Sequence, residues 1–136
     1  LNLNVIWPNS KNEISDNSIN NNSLVFKMMY KKFSMLFTGD IEEIAEKKIL
    51  QTCNVKNVES LVLKVPHHGS KTSSSQGFLD AVRPKIALIG VGKNNKFGHP
   101  SDITLEKFKM YDTKVYRTDQ KGEITLKTDG NKIKIY

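Results

Sequence analysis

The sequence predicts an α/β fold of the α+β type, in which a mixed sheet carries helices against one face. Strand-like apolar runs alternate with helical patterns through the middle of the chain, and strand patterns dominate both ends. The 136 residues are one domain's length, with 38% hydrophobic and 26% charged residues, a composition ordinary for globular proteins that bury a core. Polar motifs follow several predicted strands, where rigid scaffolds place binding and catalytic groups.

The strands are predicted from β-branched and aromatic runs that turn residues interrupt. Residues 1–7 alternate apolar and polar side chains until Pro8, and the apolar run at 61–65 is typical of a buried central strand. Residues 9–22 are rich in Asn and Ser and predict an exposed loop. The predicted strands are residues 1–7, 23–30, 33–38, 61–65, 85–91, 113–118, 123–127 and 132–136.

Three helices are predicted from apolar residues at helical spacing and from start and stop signals. Asp40 precedes the first helix and Glu43 follows three residues later, which is a capping-box pattern. Pro84 ends the second helix, and Ser101 is a good N-cap for the third. The predicted helices are residues 41–52, 73–83 and about 102–111.

The first motif of chemical interest, Phe-Thr-Gly-Asp-Ile-Glu at residues 37–42, contains two carboxylates. Asp40 is interpreted as a metal ligand, because a carboxylate can bridge two cations while imidazoles complete their shells. The alternative is the helix N-cap, and the two roles are compatible if one oxygen faces the helix and the other the metal. Glu42 is either a second acid of the same site or a first-turn residue that suits the helix dipole.

Two further motifs contain the three histidines of the chain. His67 and His68 stand where the central strand ends, followed by Gly69 and a row of hydroxyl side chains. His99 lies on a Gly-rich loop just before Pro100. Since histidine is the commonest metal ligand and is also a general acid or base near neutral pH, these positions predict a metal-dependent hydrolytic site.

Charge and cysteine content narrow the function classes. The net charge of +7 arises beyond residue 60, where fourteen Lys and Arg face seven Asp and Glu. This basic half favours a polyanionic partner such as nucleic acid, and a solvated lysine surface without a partner is the alternative. Cys53 is the single cysteine, which excludes an internal disulfide, and no apolar run approaches the roughly 18 residues of a membrane helix.

From about residue 20 to about residue 127 the motifs resemble, in family order, the metallo-β-lactamase-fold domain of ComEC-type competence DNA-internalisation proteins. The resemblance implies the αββα architecture with two facing sheets, of which this chain supplies about half to two-thirds. The matching sequences are Asn22-Ser23-Leu24-Val25, Phe37-Thr38-Gly39-Asp40-Ile41-Glu42, Leu63-Lys64-Val65-Pro66-His67-His68-Gly69-Ser70, Gly98-His99-Pro100 and Tyr116-Arg117-Thr118-Asp119.

The resemblance implies a phosphodiesterase or nuclease that acts on DNA with two divalent cations, zinc or manganese. Asp40 would bridge the cations, and one of His67 and His68 would complete a shell. His68 is favoured, because we expect the two in an extended chain, where adjacent side chains point opposite ways. Glu42 resembles a second acid near the same site in related phosphoesterases, and His99 would protonate a leaving oxygen.

The hydroxyls of Ser70 and Thr72, together with His99, are expected to contact substrate oxygens. For His99 the alternative is a cap on the helix that begins near Ser101. Other metallo-β-lactamase-fold phosphoesterases and lactonases remain alternatives for the activity. A non-catalytic nucleic-acid-binding module is the alternative from a different class.

The family's His-x-Asp-x-Asp-His or His-x-His-x-Asp-His motif does not occur in the sequence. We therefore expect residues 1–136 to be one partial domain that lacks the upstream half, and a natural half-domain paired with another polypeptide is the alternative. The isolated chain is expected to bind metal weakly, to hydrolyse nothing, and to be marginally stable or self-associate.

The resemblance also implies the partners and the location of the intact protein. The partners are DNA, with single strands favoured, the missing N-terminal half of the domain and a membrane channel portion. The location is a soluble domain of a bacterial cytoplasmic-membrane protein, on the extracytoplasmic face.

Overall fold

The computed structural model describes residues 1–9 and 13–136, which form two sheets and a set of short helices. Strands β1 to β6 of the main sheet are Asn2–Trp7, Val25–Tyr30, Phe33–Phe37, Val62–Lys64, Ile86–Ile89 and Lys114–Arg117. The second sheet pairs β7, Leu126–Thr128, with β8, Ile133–Ile135. Helices α1 to α6 are Ser18–Asn21, Glu43–Thr52, Val55–Val58, Gln76–Val82, Asp102–Met110 and Thr118–Lys121, and a 3-10 turn covers Pro66–Gly69.

The main sheet is mixed, and its six strands lie in chain order. β1, β2 and β3 pair antiparallel, whereas β3, β4, β5 and β6 pair parallel. Helices connect the parallel strands, as crossovers between parallel neighbours require. The sheet and its helices confirm the predicted fold class, and the carboxyl ends of four strands meet at one edge.

One face of the main sheet packs against the helices and forms the larger core. Leu36, Leu63 and Ala87 align across β3, β4 and β5 and are fully buried. The helical side chains in the same cluster are Ala45 and Ile49 of α2, Phe78 and Leu79 of α4, and Phe108 of α5. Burial of each large side chain contributes about 1.5–3 kcal/mol, so this layer dominates the stability of the fold.

The opposite face carries the two-stranded sheet. Leu126 and Ile133 of the β7–β8 hairpin pack against the buried cluster of Phe33, Met35 and Val62. The hairpin also bonds to the β2–β3 turn, where the Lys32 N–H donates to the carbonyl of residue 130 at 3.0 Å. The second layer therefore covers the end of β3 that is distant from the polar motifs.

The predicted exposed loop at residues 9–22 is wrong in part. Its residues 10–12 lie outside the described residues, but the remainder contains α1 and places Ile14 and Asn21 in the interior. The Trp7 indole N–H donates to the Asn21 carbonyl at 2.7 Å, so hydrogen bonds replace the water that a polar segment usually needs. Polar composition therefore did not predict the burial of this segment.

The remaining differences are small and local. α2 begins at Glu43 rather than at residue 41, and α3 and α6 were not predicted, because four residues are too few to show a helical period. Within residues 1–9 and 13–136, none of the helices is long and apolar enough to cross a membrane.

Candidate functional site

The candidate site lies at the sheet edge where the parallel strands end. Asp40 follows β3, His67 and His68 follow β4, His99 lies beyond β5, and Thr118 follows β6. Crevices at the carboxyl ends of parallel strands are the usual ligand sites of such sheets, because loops there converge on a rigid frame. The structure therefore brings together side chains that the sequence predicted from separate motifs.

Asp40 and His68 face each other across the end of β4. The Asp40 Oδ1 lies 3.6 Å from the His68 Nε2, while the His68 Nδ1 lies 2.5 Å from the carbonyl oxygen of Gly90. A carbonyl oxygen only accepts, so Nδ1 carries a proton, and in the neutral tautomer that this bond selects the Nε2 of His68 presents a lone pair to Asp40. Two acceptors that face each other in this way suit a cation between them.

The Lys64 ammonium is a cation already next to Asp40. Its Nζ lies 3.6 Å from the Asp40 Oδ1 and donates to the Gly39 carbonyl at 2.7 Å. Burial lowers the pKa of Lys64, and the charge of Asp40 opposes that shift. The sequence signal for Lys64 is its position inside an otherwise apolar strand. The predicted site residues do not include it.

His67 and His68 stand in a tight turn, not in an extended segment. Their φ angles are 47° and 54°, in the left-handed region, so the expectation that they point opposite ways as neighbours in a strand is wrong. His68 approaches Asp40, whereas His67 approaches Glu42 and has its ring centroid 5.6 Å from that of His99. Both imidazoles therefore belong to the site.

Glu42 holds the second carboxylate position. Its Oε1 accepts from the Thr72 hydroxyl at 2.8 Å and its Oε2 from the Asn17 amide at 2.9 Å, while the His67 Nδ1 lies 3.2 Å from Oε1. Burial alone would raise the pKa of Glu42, but the bonds from Asn17 and Thr72 and the nearby His67 lower it overall. Glu42 is thus an ionised acceptor. Asn17 is not among the predicted site residues, because the composition of its segment predicts an exposed loop.

The N-cap alternative for Asp40 is wrong. Glu42 occupies the N-cap position of α2 without a side-chain capping bond, and the N–H of Glu43 donates to the Thr72 carbonyl at 2.9 Å. Asp40 instead lies in the turn after Gly39, with its own N–H donating to the Ser23 hydroxyl at 3.1 Å. Its carboxylate is therefore not committed to the helix.

Gly39 and Gly69 permit the close approaches on which the site depends. Both have positive φ angles, 54° and 79°. A Cβ on Gly39 would lie 2.4 Å from the Ser23 Cβ, and one on Gly69 would lie 2.6 Å from the Pro100 Cβ. Glycine is required at Gly69 because the turn with the paired histidines packs directly against the segment that contains His99.

Asn95 fixes the position of His99. The Asn95 Oδ1 accepts from the His99 N–H at 2.9 Å, and its Nδ2 donates to the His99 carbonyl at 2.7 Å. Burial lowers the pKa of His99, and the neighbouring His67 and His68 lower it further, which favours a neutral imidazole at pH 7. The alternative that His99 caps α5 is wrong, because Ser101 is the N-cap and accepts from the Thr104 N–H at 3.3 Å.

The hydroxyl groups of Ser70 and Thr72 form a hydrogen-bonded pair next to Glu42. The Ser70 hydroxyl is buried and lies 3.0 Å from that of Thr72, which in turn donates to Glu42. This pair supports the carboxylate directly, and its contact with substrate stays a prediction.

Thr118 is a further residue that the prediction does not include among the site residues. Its hydroxyl accepts from the Val91 N–H at 2.7 Å and donates to the Val91 carbonyl at 2.8 Å, while Arg117 and Asp119 form an ion pair at 2.6 Å. The end of β6 therefore holds the loop after β5 in place. The sequence signal for Thr118 is its place in the Tyr116–Asp119 motif, but only the fold shows which groups it contacts.

The donor set fits part of a metal site. Carboxylate oxygen and imidazole nitrogen suit zinc or manganese, and the His67 Nδ1 is buried without a hydrogen bond of good geometry. Two ligands of one zinc ion lie about 3.4 Å apart in tetrahedral geometry, close to the Asp40–His68 separation of 3.6 Å. Among the described residues, no group of three His, Cys, Asp or Glu side chains is arranged to hold a metal ion.

Comparisons with known proteins identify homologues. The chain is 40% identical over 107 residues to ComE operon protein 3 of Bacillus subtilis and 32% identical over 117 residues to competence protein ComA of Neisseria gonorrhoeae. It is 32% identical over 126 residues to recombination protein 2 of Haemophilus influenzae. No protein-family model matches the chain.

These homologues point to a competence-related family. The alignments cover 79%, 86% and 93% of this chain but only 14%, 16% and 15% of the three relatives. The chain therefore spans less than one fifth of the length of each relative.

Proposed function

We propose that this competence-related chain contributes to a metal-dependent hydrolytic site that cleaves phosphodiester bonds of DNA within a longer protein. The observation that carries the proposal is the cluster at the carboxyl edge of the sheet. Asp40 faces His68, Glu42 faces His67, and the His99 ring lies beside that of His67. Carboxylates and imidazoles converging on one crevice are the side chains that metal-assisted hydrolysis uses.

Asp40 and His68 are the side chains of this chain that would hold metal. When bound, two divalent cations, zinc or manganese, would activate water and neutralise charge on the phosphate. Asp40 is open to a cation because its carboxylate is free of the helix, and His68 presents the lone pair of Nε2 towards it. A catalytic zinc needs three protein ligands, so further ligands would come from outside this chain.

Glu42 acts through His67 in this proposal. The carboxylate is ionised and held on both oxygens, so it can fix the orientation of the His67 ring. A carboxylate behind an imidazole raises the basicity of its other nitrogen. His67 would then be the alternative metal ligand or the proton acceptor of the site.

His99, Ser70 and Thr72 are the proposed contacts to substrate. The Asn95 side chain fixes the backbone of His99 by accepting from its N–H and donating to its carbonyl. The imidazole, held at this position, can hold or transfer a proton at a leaving oxygen. Thr72 is exposed at the edge of the cluster and reaches Glu42 through its hydroxyl.

Charge and homology support the proposed substrate and setting. The excess of positive charge beyond residue 60 attracts a polyanion, and homologues named for competence and recombination favour DNA. We propose a role in DNA uptake, next to a membrane channel portion of the same protein and on the extracytoplasmic face.

The test is hydrolysis of labelled single-stranded DNA by the full-length protein with zinc or manganese. Asp40→Asn should abolish cleavage and bound metal together, and Glu106→Gln, at an exposed position of α5, is the matched control. The 136-residue chain alone should bind metal weakly without turnover. A full-length protein that cleaves a nitrophenyl phosphodiester but not DNA would favour a small-molecule phosphoesterase, and cleavage by Asp40→Asn would contradict the proposal.

A non-catalytic nucleic-acid-binding module is the second candidate. The observation that favours it is that the described residues include no three-ligand group. Metal analysis of the purified full-length protein distinguishes the two, because stoichiometric metal that depends on Asp40 supports a hydrolase and its absence supports the binding module.

A further inference from the structure

An aromatic ring stands exposed beside the candidate site. Phe97 lies on the loop between β5 and α5 and is 82% exposed. Its ring is nearly parallel to that of His99, with an interplanar angle of 19° and a centroid separation of 5.8 Å. One exposed apolar side chain is ordinary by itself, but a ring parallel to that of His99 offers a flat surface on which a ligand at the site can pack.

The loop holds Phe97 in a defined position. The Asn95 Oδ1 accepts from the N–H groups of both Phe97 and His99, at 3.2 and 2.9 Å. The Asn95 Nδ2 donates to the carbonyls of Gly92 and His99, at 3.1 and 2.7 Å. One amide side chain thus fixes the loop through four hydrogen bonds to backbone atoms, so the backbone that carries the ring is preorganised for binding.

The surroundings of the ring combine a flat apolar surface with positive charge. A cleft of about 180 Å³ is lined by His68, Val91, Gly92, Asn95, Phe97 and His99. Lys93 and Lys96 are exposed on the same loop, on either side of Asn95. A planar base that stacks on the ring and phosphates that meet the lysines match this pattern better than an apolar peptide would, because a peptide leaves the ammonium groups without partners.

We propose that Phe97 stacks on an unpaired base of single-stranded DNA and so positions the adjacent phosphate at the site. In a duplex, each base is covered on both faces by its neighbours, so the ring can reach only a base that is unstacked. The inference rests on the proposed function, and it adds the residue that contacts an unpaired base of the substrate.

The experiment measures binding of the 136-residue chain to two fluorescent oligonucleotides by anisotropy, at fixed salt and with chelator present. One is oligothymidylate, and the other is an abasic strand of the same length and charge. The wild-type chain should bind oligothymidylate more tightly. Phe97→Ala should weaken oligothymidylate binding by roughly 5- to 150-fold, the usual worth of one stacked base, and leave abasic binding unchanged.

Two further variants keep the test interpretable. Phe97→Trp should retain the preference for bases, because it preserves a stacking surface. Met110→Ala removes another exposed apolar side chain, which is 77% exposed on α5, and should bind both strands as the wild type does. Equal thermal unfolding of all variants shows that the fold is intact, as the exposure of Phe97 leads us to expect.

The outcomes separate this inference from the proposed function. Wild-type binding that does not distinguish the two strands, or equal losses for both strands in Phe97→Ala, would overturn the stacking role. If that happens while full-length protein still cleaves DNA in an Asp40-dependent way, the hydrolytic function stands without it. If the chain prefers bases through Phe97 but the full-length protein cleaves nothing, the stacking role stands and the hydrolytic function fails.

Discussion

The three imidazoles of the site have different surroundings. Two differ in the group that their Nδ1 atom contacts, and the third is held through hydrogen bonds to its backbone. His68 uses Nδ1 on the Gly90 carbonyl and turns Nε2 to Asp40, whereas His67 turns Nδ1 to Glu42. His99 is fixed through its backbone by Asn95, and its ring is free of a carboxylate partner among the described contacts. The three histidines therefore have different chemistry, although they are identical residues in adjacent motifs.

This difference predicts different effects of alanine substitution in the full-length protein. His99→Ala should leave metal content unchanged and reduce the rate by roughly 10²–10⁴-fold, the usual worth of a positioned acid or base. His68→Ala and Asp40→Ala should lose metal and activity together. Elemental analysis beside the DNA cleavage assay checks this, and loss of a metal ion in His99→Ala would show that the histidine is a ligand.

At the level of elements, Glu46 ties helix α2 to the start of helix α4. Its fully buried carboxylate accepts from the N–H groups of Ser74 and Ser75 at 2.6 and 2.8 Å. Burial raises the pKa of Glu46, and the bonds from Ser75 and Ser74 only partly oppose that shift. The loop that follows the paired histidines is thus held from the neighbouring helix.

Glu46→Gln should lower the free energy of unfolding by about 1–3 kcal/mol, because the amide can accept only one of the two bonds and leaves a buried N–H unpaired. The pKa of Glu46 is higher in the folded state than in the unfolded state. The stability that its protonated form contributes is therefore present at low pH and is lost as pH rises through the folded pKa. In urea unfolding from pH 4 to pH 8, the difference in free energy of unfolding between wild type and Glu46→Gln should become smaller as the pH rises. A gap that widens with pH would contradict the raised pKa.

The packing of two loops on each other predicts a cost at Gly69. Gly69→Ala should destabilise the chain by about 1–3 kcal/mol, since its φ is 79° and the new methyl group would meet the Pro100 Cβ at 2.6 Å. Gly77→Ala is the matched control, because this helical glycine has open space around it and alanine is the better helix former. Urea unfolding compares the two, and equal stability of Gly69→Ala and wild type would show that the loops are not held together there.

For the whole molecule, the sheet face opposite the helices is the surface at which we expect association. The β7–β8 hairpin covers the part of this face around Phe33. Towards the edge, Leu3 pairs with Met28 and Val5 with Phe26 on the same face, and Leu3 and Val5 are 63% and 61% exposed. An edge strand with an apolar face favours pairing with other chains or with another layer of the same protein.

We therefore expect the isolated chain to associate as its concentration rises. Replacing both Leu3 and Val5 with Lys should shift the chain towards monomer, because charged side chains on an edge strand oppose pairing. Sedimentation velocity over a range of concentrations measures this. Ile19→Lys, at a site 88% exposed on α1, is the control for added charge. A strict monomer with a concentration-independent melt would contradict the expectation.

The prediction of the fold succeeded where local signals are strong. The strand at 61–65, the N-cap Ser101 and the strands at 23–30 and 33–38 all appear close to their predicted positions. It failed at the Asn-rich segment before β2, where Asn21 is buried, because hydrogen bonds with Trp7, Asp16 and Glu42 replace the expected solvent. Propensity describes the average surroundings of a residue type, whereas Asn21 is buried among hydrogen-bond partners that composition does not reveal.

By itself the sequence determined the alternation of strands and helices, the basic second half and the placement of the Asp and His motifs at strand ends. Those features depend on side-chain periodicity and composition, which are local. The tertiary structure alone decided that both paired histidines enter the site through a left-handed turn, that Glu42 rather than Asp40 is the N-cap, and that Lys64 stands beside Asp40. These contacts join residues that are distant in the chain or depend on backbone angles imposed by packing, so no local pattern encodes them.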